Sequence, residues 1–150
     1  MELLAITPID LATRLLPGMQ ERGWGRVIAI LSSGVRQPIP ELSYSNAGRS
    51  ALAAWMKTVS RAVAIAGVTV NGILPGRIDT ARASQLEAAR AAREGRSVDK
   101  VRATRIAEIP AGRYGEADEV GSLVAFLASD RAAYLTGTLI PIDGGLASVQ

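Results

Sequence analysis

The stretch ELSYSNAGRSALAAW, Glu41 to Trp55, gathers side chains able to do chemistry. Tyr44 stands between Ser43 and Ser45, and Arg49 follows where a long amphipathic helix is expected to begin. The chain has no histidine and no cysteine. That excludes disulfides, thiol nucleophiles and cysteine or histidine metal sites, and no metal centre is expected. Acid–base chemistry then falls to Tyr, Lys, Arg, Ser and the carboxylates. The stretch is a catalytic site, the remnant of one, or a helix start. Residue types alone leave all three open.

The elements that must position it follow from periodicity and punctuation. Thr7-Pro8 reads as an N-cap with proline in the first turn, and Ile9, Ala12, Leu15, Leu16 and Met19 recur at helical spacing. Pro17-Gly18 is expected to kink or loosen this helix, and Gly23 to end it. RVIAIL, Arg26 to Leu31, reads as a buried strand of a parallel sheet. SSGVRQPIPEL is rich in loop formers. A helix is expected from Arg49 to about Ala66, with Leu52, Trp55, Val59 and Val63 on one face and Gly67 as its end. VTVNGIL, Val68 to Leu74, predicts a second strand closed by Pro75-Gly76.

From Ile78 to Arg105 the chain is Ala- and Arg-rich, and Gly95-Arg96-Ser97 divides it into two helices. Arg77 to Arg105 carries eight basic and four acidic residues, the pattern of a solvated, mobile helical lid, with a polyanion site as the alternative. Glu116 to Ser129 predicts a helix with Val120, Leu123, Val124 and Leu127 inward. GTLIPID, Gly137 to Asp143, predicts a third strand, with Pro141 in an exposed or terminal part of it. Helix, strand, helix, strand, lid, helix, strand is the order of a parallel α/β sheet with helices on both faces.

The 150 residues suffice for a single domain over 1–150 with a real core. With 48% hydrophobic and 21% charged residues the chain reads as globular and soluble. Only 4% is aromatic, so the core must be built from Ala, Leu, Ile and Val. A net charge of +3 is too small to argue for nucleic acid or a membrane surface as partner. The N-terminus meets Glu2 without a basic leader, and no apolar run reaches membrane-spanning length. A cytoplasmic location is the expectation.

Three segments in order resemble the C-terminal half of a short-chain dehydrogenase/reductase, in particular its 3-oxoacyl-[acyl-carrier-protein] reductase-like branch. LLPGMQERGWGRVIAILSS is similar to the helix and strand that lead to the family's active-site serine. VTVNGILPGRIDT is similar to the strand and Pro-Gly turn beside the nicotinamide. IPAGRYGEADEVGSLVAFLASDRAAYLTGTLIPIDGG resembles the last helix and strand. The resemblance implies a partial Rossmann-like, doubly wound parallel sheet of about three strands with flanking helices. It also implies a missing N-terminal half, the one whose glycine-rich turn would hold the pyrophosphate of NAD or NADP. The isolated, truncated chain is therefore expected to bind neither dinucleotide and to be inactive.

The resemblance also implies a relay. In the family a tyrosine passes the substrate proton, and a lysine four residues later lowers its pKa and holds the ribose. Residues four apart share a helix face, and a nearby cation favours tyrosinate. Anchored on RSAL, Arg49 falls at the lysine position and Ser45 at the tyrosine position, with Tyr44 one residue off. Thirteen residues before Ser45, Ser32 fits the family's serine, while Leu4 falls at the relay asparagine. The candidate catalytic residues are therefore Ser32, Tyr44 and Arg49, with Ser45 at the aligned position. Tyr44 at a non-helical helix entry would have room to slip by one residue. The alternatives are a packing role for Tyr44, an N-cap at Ser45 or Asn46, and a plain surface arginine at Arg49. The implied cofactor contacts are Arg49, Pro75, Gly76, the Ile78 backbone and Thr80. Asn71, Tyr134 to Gly137 and Asp143-Gly144-Gly145 read as structural.

Two functions compete. One is an NAD(P)-dependent oxidoreductase half acting on a small ketone, alcohol or 3-oxoacyl substrate once completed, with a degenerate Ser-Tyr-Lys relay. The other is a non-catalytic homo-oligomerisation module using inherited helix surfaces and the open edge of the strand Arg26–Leu31.

Overall fold

A computed structural model describes residues 1–147. The main elements are α1 (Ile6–Glu21), β1 (Gly25–Ile30), α2 (Ser43–Val63), β2 (Val68–Pro75), α3 (Ala81–Glu94), α4 (Val98–Ala107), α5 (Ala117–Ala128) and β3 (Leu139–Ile142). The three strands form one parallel sheet in the order β1-β2-β3. Gly25 lies opposite Val68 and Ile30 opposite Ile73, while Gly72 and Pro75 meet Leu139 and Ile142. This is the partial Rossmann-like α/β architecture the sequence predicts.

β2 is central and buried on both faces, which explains its continuous apolar run. Side chains alternate along a strand. Val68, Val70 and Leu74 pack with Leu16 of α1 and with Leu52, Met56 and Val63 of α2. Ile73 turns the other way, onto Leu127 of α5, with Leu123 and Val124 beside it. Asn71 shares that direction. It is fully buried, its Nδ2 donates to the Leu135 carbonyl at 2.7 Å, and its Oδ1 accepts from the Thr138 amide at 3.3 Å. The turn into β3 is thus tied to the middle of β2.

Several boundaries differ from expectation. α1 begins at Ile6 after Ala5, so Thr7 is not its N-cap, and the helix runs through Pro17 to Glu21. Gly23, at φ 65°, ends it as expected, with the Trp24 amide bonding back to the Met19 carbonyl. α2 begins at Ser43, six residues earlier than the apolar stripe suggests, and its N-cap is Leu42. Neither Ser45 nor Asn46 caps it. Gly67 takes φ 70°, and a Cβ there would collide with the Gly23 carbonyl oxygen, so the turns before β1 and β2 pack directly on each other.

Gly95 and Ser97 divide the lid as predicted. Gly95 is left-handed at the end of α3, and the Ser97 side chain caps α4. Glu116 forms a capping box with Glu119 at the start of α5. Pro141 sits exposed on β3, the sheet edge opposite β1.

Candidate active site

Parallel strands end together, and their C-terminal ends gather the candidate residues. Ser32 follows β1 with only Leu31 between. Its Oγ accepts from the Gly34 amide at 3.0 Å and caps a short 3-10 turn, Ser33–Val35. A serine hydroxyl that accepts one bond keeps its own proton to donate.

Arg49 reaches back from α2 to the same strand end. Its Nη1 donates to the Ile30 carbonyl at 2.8 Å and to the Leu31 carbonyl at 2.7 Å, and its Nε lies 3.3 Å from Ser45 Oγ. Burial draws its pKa below the usual arginine value, yet a guanidinium stays protonated. Ser45 and Arg49 are one helical turn apart on one face. Asn46 completes the cluster by donating to the Ile39 carbonyl at 2.8 Å, which fixes the loop after Ser32 against α2.

Tyr44 belongs to the first turn of α2, where the backbone is helical rather than free to slip, and it is 83% exposed. One helical step turns a side chain by about 100°, which carries Tyr44 away from Ser45 and Arg49. The structure therefore brings Ser32, Ser45 and Arg49 to the end of β1 and leaves Tyr44 in solvent.

At the end of β2 the Gly76 amide donates to the Ile142 carbonyl at 3.0 Å. A Cβ on Gly76 would come within 2.6 Å of Asp143 Cβ, so only glycine fits the approach of this turn to β3. Asp143 in turn accepts from the Gly145 and Ala147 amides. Beyond Gly76, Ile78 bridges Gly115. The bridge uses the Arg77 carbonyl and the Asp79 amide, at 2.9 and 2.8 Å. In an extended segment the flanking groups face the partner, so the amide and carbonyl of Ile78 itself face the other way. Thr80 caps α3, its Oγ1 accepting from the Ala83 amide at 3.3 Å.

Ser32, Pro75 and Gly76 share one cleft of about 530 Å³. Pro38 to Leu42 forms one wall, and Leu86, Arg90 and Arg105 of the lid, with Glu108 just past α4, form the other. Arg49, Tyr44, Ile78 and Thr80 do not line it.

The lid contains a network that sequence reading missed. Glu87 of α3 is 2% exposed, accepts from the Tyr114 hydroxyl, and lies 3.3 Å from Arg102 Nη1 of α4. Arg102 also pairs with Asp79 and covers the Tyr114 ring at 4.6 Å. Arg77 pairs with Glu108 and donates to the Arg105 carbonyl. A sequence signal did exist. Ala83, Glu87 and Ala91 fall on one inward face at spacing four, which marks Glu87 as the charged member of a packed stripe. Burial first, and then the bond to Glu87, push the Tyr114 hydroxyl above the usual tyrosine pKa. Among the described residues no cluster of acidic side chains is arranged to hold a metal ion, and no helix is long and apolar enough to cross a membrane.

The family model described as Enoyl-(Acyl carrier protein) reductase matches residues 1–147. The chain is 35% identical over 91% of its length to the 3-oxoacyl-[acyl-carrier-protein] reductase of Pseudomonas aeruginosa, covering 51% of that protein. It is 36% identical over 86% of its length to the acetoacetyl-CoA reductase of Allochromatium vinosum, covering 48% of it. The chain thus spans about half the length of the curated relatives it matches. Among solved structures, YwfH, an NADPH-dependent reductase involved in bacilysin biosynthesis, superposes with a TM-score of 0.92 at 30% identity, over 97% of this chain and 56% of that one. An actinorhodin polyketide ketoreductase solved with NADPH gives 0.82 at 30% identity, over 87% of this chain and 50% of that one. With the parallel sheet, the serine at the end of β1 and the Pro-Gly turn at the end of β2 in place, the chain belongs to the short-chain dehydrogenase/reductase family, in its 3-oxoacyl-[acyl-carrier-protein] reductase-like branch.

Proposed function

We propose that this chain is the substrate-facing half of an NAD(P)-dependent reductase of the ketone/alcohol or 3-oxoacyl class, and that by itself it neither holds a dinucleotide nor turns over. The observation that carries this reading is the convergence of Ser32 and the Pro75-Gly76 turn on one lid-walled cleft at the strand ends. Open α/β sheets take their ligands there.

The residues present fit the nicotinamide end of the cofactor. The amide and carbonyl of Ile78 face away from Gly115, which would let them bond a carboxamide, and Thr80 follows two residues on as the N-cap of α3. Nothing in the 150 residues supplies the glycine-rich turn that a pyrophosphate needs. When bound, the nicotinamide would supply the hydride. Ser32 has a hydroxyl proton free to hold a substrate carbonyl in place. Arg49 acts as a positioning residue, a fixed cation that joins α2 to the end of β1. It cannot shuttle a proton because it stays protonated. Ser45 is a poor acid, and Tyr44 points into solvent. The relay is therefore degenerate, which supports the absence of turnover.

Calorimetric titration with NADH and NADPH to millimolar concentration tests the first part. Heats of dilution alone are expected, and saturable binding would overturn the claim that the chain holds no dinucleotide. A fusion behind the glycine-rich first half of the Pseudomonas relative tests the second. NADPH should then protect the Gly76–Thr80 amides from hydrogen exchange, and unprotected amides with bound cofactor would sink the reductase reading.

A second reading, a non-catalytic homo-oligomerisation module, draws on a different surface. A groove of about 350 Å³ runs between α1 and the open edge of β1, with Leu11, Leu15 and Ile30 exposed along it.

A further inference from the structure

The lid wall of the cleft carries more positive charge than its own carboxylates neutralise. Arg77, Arg90 and Arg105 line the cleft against Glu41 and Glu108. Arg77 is paired with Glu108. Arg90 is held by Glu94, Nε to Oε1 at 2.6 Å. Glu41 lies 3.9 Å from Arg93. Arg105 pairs with no carboxylate among the described residues, and its Nε is buried without a hydrogen-bond acceptor. Buried polar groups are nearly always bonded, and an unbonded guanidinium nitrogen is costly to keep. Apolar side chains share the space from both walls, Leu86 from the lid and Ile39 and Leu42 from the wall opposite, beside the polar Ser32, Ser33 and Gln37. The lid also fixes where Arg105 stands, because its backbone carbonyl is gripped by Arg77, which follows the Gly76 turn.

We propose that the cleft takes a keto acid, an apolar ketone with a carboxylate at its far end, and that Arg105 is the specificity-determining residue that binds the carboxylate. A guanidinium carries Nε and one Nη as a planar fork that matches two carboxylate oxygens, and a small turn of the side chain toward the cleft would give the buried Nε the acceptor it lacks. The ketone end, directed at Ser32, rests on the reductase reading above. The carboxylate end rests on Arg105 alone and needs no cofactor.

The test follows binding to the full chain by heteronuclear NMR, without dinucleotide. The probes are benzoylpropionate, a keto acid, its methyl ester, and inorganic phosphate. Benzoylpropionate should shift the Arg105 Nε–Hε signal and the Gly76 amide saturably. The ester should bind at least about tenfold more weakly, the loss of a charge-assisted pair. Arg105→Gln should lose the same factor for the acid and nothing for the ester, and Arg105→Lys should recover part of it. Should Arg105→Gln disturb the lid, the wild-type Nε–Hε signal decides alone. Equal binding of acid and ester, binding that leaves Arg105 unmoved, no binding of either, or displacement of the acid by equimolar phosphate would each overturn the proposal. None of these results bears on the dinucleotide titrations, so the two readings fail separately.

Discussion

Arg49 joins two elements through a single side chain. Three of its bonds go to the Ile30 and Leu31 carbonyls and to Ser45. Removing the fork in Arg49→Met should cost about 1–3 kcal/mol, the range for hydrogen bonds to a charged group, read from denaturant midpoints. Arg49→Lys should fall between, since one ammonium cannot span both carbonyls and the serine. Tyr114 gives a pH signature. Its folded-state pKa is raised, so the stability it contributes is complete below the ordinary tyrosine value of 10.0 and is lost as pH rises through the folded value. Thermal melts should therefore weaken in alkali, and Tyr114→Phe should remove that dependence while costing about 1–3 kcal/mol for the partner taken from buried Glu87. The place of Ser32 at the end of β1 was legible because a serine pair and glycine close the apolar run RVIAIL. Glu87 was harder to see because its partners, Tyr114 and Arg102, lie far along the chain.

Among the elements, those with an apolar stripe of their own were readable. β2, α5 and the break at Gly95 fall where pattern and punctuation place them. The start of α2 was not, because Ser43 to Arg49 carries no such stripe. That turn is helical for tertiary reasons. Asn46 ties it to the Ile39 carbonyl and Arg49 ties it to β1, while Gly48 packs close to Leu4. Tyr44 therefore came out on a helix that propensity did not predict. The start of α5 makes its own prediction. Bonds from Arg113, and then from the Glu116 amide, lower Glu119 to about 2. Its contribution is present above the ordinary carboxylate value of 4.5 and is lost as pH falls from there through about 2. Glu119→Gln should flatten the acid limb of a stability-against-pH curve, and an unchanged limb would remove the capping box from the acid response.

At the scale of the whole molecule, the sheet is covered on both faces but open along β1. Leu11 is 57% exposed, Leu15 51% and Ile30 47%, beside a strand whose outer backbone groups have no neighbour among the described residues. A contiguous apolar edge of this kind associates. The 150-residue chain should sediment above its single-chain mass, and Leu11→Glu with Ile30→Lys should return it toward that mass. Sedimentation at the single-chain mass without the substitutions would count against the oligomerisation reading.

The two halves of the structure are held by different forces. The sheet and its helices meet through aliphatic side chains, whereas α3 and α4 bury few apolar groups, chiefly Ala91 and Val101, and add the pairs of Arg102 with Asp79 and Glu87 and of Arg77 with Glu108. The Arg102 and Asp79 side chains are 32% and 40% exposed, within reach of mobile ions. At molar salt the screening length shrinks to about 3 Å, while aliphatic burial is untouched or strengthened. Ionic strength is then a selective solvent for this fold. It loosens the lid, speeding amide exchange across α3 and α4, and leaves β2 as slow as before.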